Sequence, residues 1–243
     1  MSRIHDGGVL TRNQGHTGAA SRRLPEGVAK LAFLGRLSGG LVDELIQSSH
    51  SVTYPTGSII ETPARAGLAL IVSGALRYYL SAADGRQLTV GYLGPGRVLG
   101  TVEKESASIV RVQVIAPTVL LHLQADRVQA LIQRRPELTH ALLAEAIHGL
   151  QHSFRVLAAS AFMTVRARLA RDLIERASLS GPLVPGVHLL VTQQALADAT
   201  GSVREVVARS LRELARNDVI ATGGGGVTIQ NPDALMRVAG YVT

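Results

Sequence analysis

Two short amphipathic segments on either side of one glycine constrain the fold of this chain more than any other feature. Within Leu190–Ile220, apolar residues recur at three- and four-residue steps before and after Gly201, which predicts two helices. Glycine lacks a Cβ atom and takes the left-handed conformation of a tight turn at little cost. Because the second segment also carries several arginines, the pattern predicts a helix-turn-helix that enters a DNA groove.

Polar residues mark the start of each predicted helix. Thr192 precedes the first apolar residues, where its hydroxyl can cap free backbone amides. Ser202 opens the second helix and Glu205 follows three residues later, which has the form of a capping box. The residues expected to face inward in the second helix are Val203, Val206, Val207, Leu211 and Leu214. An ordinary helical pair with a solvated, charged face is the alternative interpretation.

A glycine-rich hairpin follows the second helix. Val219–Thr222 and Val227–Ile229 have the composition of two strands, and Gly223–Gly226 lies between them. This arrangement predicts a wing beside the helix-turn-helix. The tip of the wing carries no charge, so we expect few side-chain contacts with DNA there. No helix follows the glycines directly, which argues against a nucleotide-binding glycine loop.

Composition limits the classes of function. The 25 basic and 18 acidic residues give a formal net charge of +7, which favours an anionic partner such as nucleic acid. The chain has no cysteine, which excludes disulfides, cysteine-ligated zinc and iron–sulfur clusters. No apolar run approaches the length of a membrane span and the N-terminus lacks a signal-peptide core, so we expect a cytoplasmic protein without a membrane partner.

The chain divides into four predicted segments, which together predict an α+β fold. Residues 1–29 are rich in glycine, serine and arginine and are expected to form a flexible tail. Residues 30–135 are strand-rich, residues 136–162 are expected to form a long helix, and residues 163–243 the winged domain. Short strands separated by turn signals are typical of a sandwich or barrel. The candidate strands are Val52–Tyr54, Ser58–Ile60, Leu68–Val72, Ala75–Leu80, Leu88–Tyr92 and Val110–Val114.

The predicted long helix carries an apolar stripe, and Pro136 suits its first turn. The apolar residues at three- and four-residue steps are Leu138, Leu142, Ala146, Leu150, Phe154, Leu157 and Ala161. A stripe of this length predicts pairing with the same helix of a second copy, and packing against its own domain is the alternative. Because helix-turn-helix proteins commonly read two half-sites as symmetric dimers, we favour a homodimer. The hinge to the winged domain is expected near Phe162–Thr164.

Two sets of motifs occur together in this chain. The turns of the strand-rich segment are Tyr54-Pro-Thr-Gly57, Val72-Ser-Gly74, Asp84-Gly-Arg86, Leu93-Gly-Pro-Gly96 and Val98-Leu-Gly100. The second predicted helix carries Gly201-Ser-Val-Arg204-Glu205-Val-Val-Ala-Arg209. With both sets joined by a long helix, the chain after about Leu31 resembles the cyclic AMP receptor protein/fumarate–nitrate regulator family. The resemblance implies an N-terminal β-roll of the cyclic-nucleotide-binding jelly-roll type, a long dimerisation helix and a C-terminal winged helix-turn-helix.

The resemblance also implies how the chain would contact DNA. Arg204, Glu205 and Arg209 match family positions that contact base edges, which suits guanidinium binding to guanine and carboxylate binding to cytosine. The predicted contacts outside this base-reading set are Thr192, Gln194 and Ser202, of which the first two match phosphate-holding positions. The implied target is a palindromic promoter site in double-stranded DNA with TGTGA-like half-sites. A homodimer would bind it, with RNA polymerase as a further partner.

The sensor segment departs from the family pattern. Cyclic-nucleotide binders of the family carry a glycine–glutamate pair for the ribose and an arginine–serine pair for the phosphate. The matching residues here are Gly100-Thr101 and Ser108-Ile109, so both the carboxylate and the guanidinium are lost. Ser153 matches a position that can touch the purine, and Arg97 or Arg111 could reach the site from nearby. We therefore expect no required cofactor, and cyclic AMP (cAMP) is a candidate ligand that lacks its strongest contacts.

The residues predict neither a metal site nor an enzyme active site. Glu145, His148 and His152 share one face of the long helix and could bind a metal, but solvated or hydrogen-bonded histidines are far more common, so no metal is predicted. No nucleophile, base and orienting group can be picked out together, so an enzyme is not expected. The alternatives are a regulator whose β-roll is only a scaffold and a cyclic-nucleotide signalling module without DNA recognition.

Overall fold

The computed structural model of the chain describes residues 33–47, 49–60, 67–101 and 110–241. The predicted tail, residues 1–29, lies outside these ranges, as do Ser108 and Ile109. Within them the chain forms a strand-rich first domain, a long helix and a winged domain, which confirms the α+β fold class.

Six antiparallel strands form the β-roll of the first domain. They are β1 (Ser49–Tyr54), β2 (Ile59–Ile60), β3 (Gly67–Ser81), β4 (Gln87–Leu93), β5 (Val98–Thr101) and β6 (Arg111–Leu123). Strands β3 and β6 pair with each other at the centre, β1 and β2 pair with β6, and β4 and β5 pair with β3. Because side chains alternate between the two faces of a strand, Leu76 and Leu120 are fully enclosed in the roll, where they pack with Ile71 and Val112.

Strand β3 differs from the prediction. The division of this segment into Leu68–Val72 and Ala75–Leu80 is wrong, because β3 runs continuously through both and pairs with β6 on either side of Gly74. Gly74 has a φ of +89°, and a Cβ atom there would lie 2.3 Å from the Pro117 carbonyl oxygen. The glycine therefore forms an irregularity inside a long strand and does not end it.

Three helices complete the first domain: α1 (Gly39–Gln47), α2 (Ala125–Arg134) and the long α3 (Pro136–Phe162). Leu41 and Leu45 of α1 are buried in one cluster with Leu70 of β3 and Leu138 of α3. Pro136 occupies the first turn of α3, as predicted, because a proline there gives up only an amide that the helix could not use. The start of the long helix is thus anchored on the β-roll.

The apolar surface of α3 changes face along the helix. Leu138 is buried and Leu142 packs at the margin of the same cluster, so both face their own domain. The predicted stripe is therefore wrong in its first half, where the β-roll covers the helix. Farther along, the large apolar side chains that are 47–65% exposed are Leu143, Ile147, Leu150, Phe154 and Leu157. Their steps of four and three residues form one continuous exposed row, which we call the α3 stripe.

The winged domain combines four helices with a three-stranded sheet. Its elements are α4 (Val165–Ser178), β7 (His188–Leu189), α5 (Gln193–Thr200), α6 (Arg204–Arg216), β8 (Ile220–Gly223), β9 (Gly226–Ile229) and α7 (Pro232–Val238). Leu169, Leu196 and Ile229 lie fully buried in its core. Gly224 and Gly225 have φ values of 58° and 76°, which suits the two-residue turn of a tight hairpin. The predicted wing is confirmed.

The winged domain packs on strand β4 of the β-roll. The Tyr92 hydroxyl donates a hydrogen bond to one carboxylate oxygen of Asp172 in α4. Arg176 Nε donates to the other oxygen at 2.7 Å, and its guanidinium lies 5.0 Å from the centre of the Tyr92 ring. Leu88 also forms an antiparallel bridge with Thr200 at the end of α5. Asp172 is only 7% exposed, and its two carboxylate oxygens accept one hydrogen bond from each domain.

The break between α3 and α4 falls at the predicted hinge position, Phe162–Thr164. Arg168 Nη1 donates to the Met163 carbonyl at 2.8 Å, and its Nε donates to the Thr200 carbonyl at 3.1 Å. One side chain therefore connects the junction between the helices to the end of α5. Movement about this junction stays a prediction.

Glu175 gives the interface between the domains a pH dependence. Burial, and secondly the charge of Asp172, raise the pKa of Glu175 from an ordinary 4.5 to about 7. Folding therefore favours the protonated acid, and the free energy of unfolding falls as the pH rises from about 4.5 to about 7. We expect Glu175→Gln to raise the free energy of unfolding above that of the wild type by about 3 kcal/mol at pH 8 and by less than about 1 kcal/mol at pH 5, measured by urea denaturation.

Asp126→Asn is the matched control, because Asp126 is an exposed acid in the first turn of α2. The free energy of unfolding of this variant should change between pH 5 and pH 8 by the same amount as that of the wild type. An effect of Glu175→Gln that is equal at pH 5 and pH 8 would contradict the raised pKa of Glu175.

Candidate nucleic-acid interface and ligand cavities

The turn between α5 and α6 is closed by Gly201, as predicted. Gly201 is left-handed with a φ of 62°, and the Ser202 amide donates to the Ala197 carbonyl at 3.0 Å. Because Ser202 is used to close α5, the chain needs one further extended residue before α6 begins. Val203 takes that place, with a φ of −107° and a ψ of 154°, and no side chain caps α6. The predicted capping box at Ser202 is therefore wrong.

Helix α6 buries one face and exposes the predicted base-reading residues on the other. Its buried residues are Val207, Ser210, Leu211 and Leu214. Arg204, Glu205 and Arg209 are exposed, and none of them takes part in the ion pairs among the described residues. Val203 is 50% exposed because it precedes the helix, so its predicted inward position is wrong. The exposed face offers unneutralised guanidinium and carboxylate groups to a ligand.

Thr192 and Gln194 lie at the start of α5. Thr192 Oγ1 accepts a hydrogen bond from the Ala195 amide at 3.1 Å, which confirms the predicted cap. Gln194 Nε2 donates to Asp198 Oδ1 at 2.8 Å, one turn along the helix. Both Thr192 and Gln194 are exposed, so the two positions expected to hold phosphate are accessible from solvent.

The β-roll carries a cavity of about 220 Å³, which we call the roll cavity. Its described lining residues are Tyr78, Leu93, Val98, Leu99, Gly100, Val110 and Val112. Gly100, one of the predicted ligand-binding residues, has a φ of +127°, and a Cβ atom there would lie 2.0 Å from the Gly67 carbonyl oxygen. Only glycine fits this position, and the described wall of the roll cavity is largely apolar.

Of the other predicted ligand-binding residues, Ser153 is the one whose side chain the structure describes. Thr101 follows Gly100 at the end of β5, and its side chain is not among the described ones. The Ser153 hydroxyl donates to the Gly149 carbonyl within α3 at 3.0 Å, and Ser153 does not line the roll cavity as described.

Tyr78 is a residue of this region that the sequence analysis missed. It lies opposite Gly91 in the pairing of β3 with β4. A Cβ atom at Gly91 would lie 2.5 Å from Tyr78 Oη and 2.6 Å from His152 Nε2. Glycine therefore gives the phenol room to reach α3. Burial, and secondly the charge of Glu175, raise the pKa of Tyr78 to about 12. The register of β3 against β4 brings these two residues together, and sequence spacing carries no direct signal of that register.

Arg97 does not line the roll cavity among its described residues. Its Nε lies 2.7 Å from Glu145 Oε1, and its side chain lines a second cavity with His148 and His152. Arg111, the other candidate, is exposed at the start of β6. Within the described ranges no group of three or more side chains could hold a metal ion. No helix in those ranges has the length and apolarity to cross a membrane.

Two domain families match this chain. Residues 52–135 match the cyclic nucleotide-binding domain, and residues 167–238 match the Crp-like helix-turn-helix domain. The cyclic AMP receptor protein of Thermus thermophilus is 32% identical over 195 residues, which cover 76% of this chain and 86% of that protein. A CRP-like cAMP-activated global transcriptional regulator of Mycobacterium tuberculosis is 24% identical over 229 residues, covering 89% of this chain and 100% of that protein.

Solved structures share the fold. A CRP/FNR-family transcriptional regulator from Thermus thermophilus superposes with a TM-score of 0.67 at 25% identity, covering 78% of this chain and 98% of the other. The c-di-GMP-responsive global regulator CLP of Xanthomonas campestris superposes with a TM-score of 0.69 at 24% identity, covering 79% and 99%. The chain therefore belongs to the cyclic AMP receptor protein/fumarate–nitrate regulator (CRP/FNR) family of transcriptional regulators.

Proposed function

We propose that the protein is a homodimeric transcriptional regulator that reads a palindromic promoter site with helix α6. The observation that carries this proposal is the exposed face of α6, on which Arg204, Glu205 and Arg209 have no ion-pair partner among the described residues. In the major groove an arginine donates two hydrogen bonds to guanine O6 and N7, and a carboxylate accepts one from cytosine N4.

The spacing of these residues suits neighbouring bases. At a rise of about 1.5 Å per residue, Arg204 and Arg209 lie roughly 7.5 Å apart along the axis of α6. That separation is about two base-pair steps of B-DNA, at roughly 3.4 Å each. Thr192 and Gln194 at the start of α5, with Ser202 in the turn, would hold phosphates and set the register of α6 in the groove.

The α3 stripe supports the homodimer. Five large apolar side chains, each 47–65% exposed, follow one another at heptad spacing on the face of α3 that the β-roll leaves uncovered. Exposing such a row to water costs free energy, and pairing with the same row of a second copy would bury it. A symmetric pair would place two α6 helices on the two halves of a palindrome. RNA polymerase would be a further partner at a promoter.

The roll cavity is a weak site for cAMP in this proposal. Its described wall is mostly apolar, and the positions matched to the ribose carboxylate and the phosphate guanidinium are Thr101 and Ser108. A buried phosphate without a bidentate cation lacks its strongest contact. The alternative, a cyclic-nucleotide module without DNA recognition, is not favoured, because the α6 face keeps all three base-reading groups.

Removing the Arg204 guanidinium tests base recognition. We expect Arg204→Ala to weaken binding to a palindromic TGTGA-containing duplex by about 1–3 kcal/mol, or roughly five- to 150-fold, because one bidentate contact to guanine is lost. Fluorescence anisotropy would compare this duplex with one in which the contacted G·C pairs are exchanged. Arg237→Ala, in α7 outside the helix-turn-helix, is the control and should preserve the ratio of the two affinities. Unchanged discrimination in Arg204→Ala would rule out base reading by this residue.

A charge placed in the α3 stripe tests the homodimer. We expect Leu150→Glu to raise the dimer dissociation constant by about a hundredfold or more, because pairing would bury an uncompensated carboxylate. Sedimentation equilibrium measures this constant directly. Gln151→Glu adds the same charge at the next position of α3, outside the stripe, and should leave the dimer intact. Equal dissociation by both variants, or by neither, would argue against the stripe as the interface.

Calorimetric titration tests the ligand of the roll cavity. We expect cAMP to bind the wild type with a dissociation constant of roughly 1 mM or weaker, because both charged contacts are missing. The triple variant Thr101→Glu/Ser108→Arg/Ile109→Ser restores the family pairs and should bind at least about tenfold more tightly. Gly100 is unchanged in both proteins, so the wall of the roll cavity has the same backbone conformation at this position in each. Micromolar binding by the wild type would disprove the weak-site proposal.

A further inference from the structure

Val203 places a large apolar side chain in solvent at the start of helix α6. The exposed residues within α6 itself all carry a charge, and they are Arg204, Glu205, Arg209, Arg212 and Arg216. Val203 comes directly before this set and is 50% exposed. A single exposed valine on a protein surface is ordinary, so what distinguishes this one is the position that it occupies.

That position is the N-cap of α6. Val203 has an extended backbone, and its carbonyl oxygen accepts hydrogen bonds from the Val206 and Val207 amides at 3.2 Å each. N-cap positions favour serine, threonine, aspartate and asparagine, because the side-chain oxygen accepts one more hydrogen bond from the first helical turn. Valine is among the residues that this position disfavours most.

The other three helices of the winged domain have the expected caps. In each of them a side-chain oxygen accepts a hydrogen bond from a backbone amide, at 3.3, 3.1 and 3.0 Å, and the capping residues are Thr164, Thr192 and Asn231. Among the four helices in the described part of this domain, α6 alone begins without a side-chain cap. Stability would favour serine at residue 203, so the valine points to a contact outside the folded chain.

Thymine offers an apolar group to a side chain at this position. In the major groove thymine presents the methyl group on its C5 atom, and apolar side chains recognise it by direct contact. The N-terminal residues of a recognition helix are the ones that reach base edges. Neighbouring Cα atoms are about 3.8 Å apart and neighbouring base pairs roughly 3.4 Å apart. Val203 and Arg204 therefore suit adjacent base pairs.

We propose that Val203 reads the 5-methyl group of a thymine next to the guanine that Arg204 binds. This inference rests on the proposed function, because it needs α6 in the major groove, and it adds an apolar base-reading residue to the three charged ones. The valine methyl groups and the thymine methyl group exclude water from each other. A serine at residue 203 would stabilise α6 but would lack the methyl groups that make this contact.

The test replaces thymine by uracil, which lacks only the 5-methyl group. Each thymine of the palindromic TGTGA-containing duplex is exchanged in turn, on either strand and in both half-sites. We expect the exchange at one position to weaken binding of the wild type by roughly tenfold, because two buried methyl groups are lost and each contributes about fourfold. Fluorescence anisotropy measures the affinities.

Two variants separate the methyl contact from the stability of α6. Val203→Ser and Val203→Ala both remove the valine methyl groups, so each should bind the thymine and uracil duplexes equally. Only Val203→Ser supplies an N-cap, and its folding equilibrium constant in urea denaturation should exceed that of Val203→Ala by about fivefold. Val184→Ser is the matched control, because Val184 is 47% exposed in the winged domain outside the helix-turn-helix. This control should keep the full preference for thymine.

Equal affinity of the wild type for the thymine and uracil duplexes at every position would overturn the proposal. A preference for thymine that survives in both Val203→Ser and Val203→Ala would also overturn it, because another residue would then contact the methyl group. Exchange of the G·C pairs distinguishes this failure from a failure of the proposed function. A wild type that discriminates those pairs but not thymine from uracil contradicts only the role of Val203, whereas one that discriminates neither contradicts base reading by α6.

Discussion

The buried carboxylate of Asp172 is the constraint on which the placement of the two domains depends. A carboxylate that is 7% exposed must be paired and hydrogen-bonded, or its desolvation costs several kcal/mol. Its two partners come from different domains, because Tyr92 belongs to β4 and Arg176 to α4. Separating these elements would break the hydrogen bond from Tyr92 to Asp172 and the contact of the Tyr92 ring with the Arg176 guanidinium. Strand β4 therefore holds α4, and through the bridge from Leu88 to Thr200 it also holds the end of α5.

Helix α3 contributes to three different surfaces along its length. Its first turns belong to the β-roll core through Leu138 and Ala141, whereas its later turns expose the α3 stripe. A third face, with His148 and His152, borders the second cavity, which Arg97 also lines. One continuous helix thus connects the two cavities, the proposed dimer contact and the junction to α4.

Local patterns predicted the helix-turn-helix, the wing and the fold class, because Gly201, the Thr192 cap and the glycine hairpin depend on neighbouring residues only. The capping box at Ser202 and the inward position of Val203 failed for a local reason, because Ser202 closes α5 and Val203 precedes α6. The other errors arose where distant parts of the chain decide. Strand β3 stays continuous through Gly74 because β6 pairs alongside it, and Leu138 is covered by a β-roll that its helical periodicity does not reveal. The ion pair of Arg97 with Glu145 and the contact of Tyr78 with Gly91 join residues far apart in sequence, so spacing alone could not place them at a site.

Tyr78 lines both the roll cavity and the second cavity, which Arg97, His148 and His152 border. A movement of this one phenol ring would change the volume of both spaces at once. A ligand bound in one of them would thereby alter the affinity of the other, and thermodynamic linkage would make that effect equal in both directions.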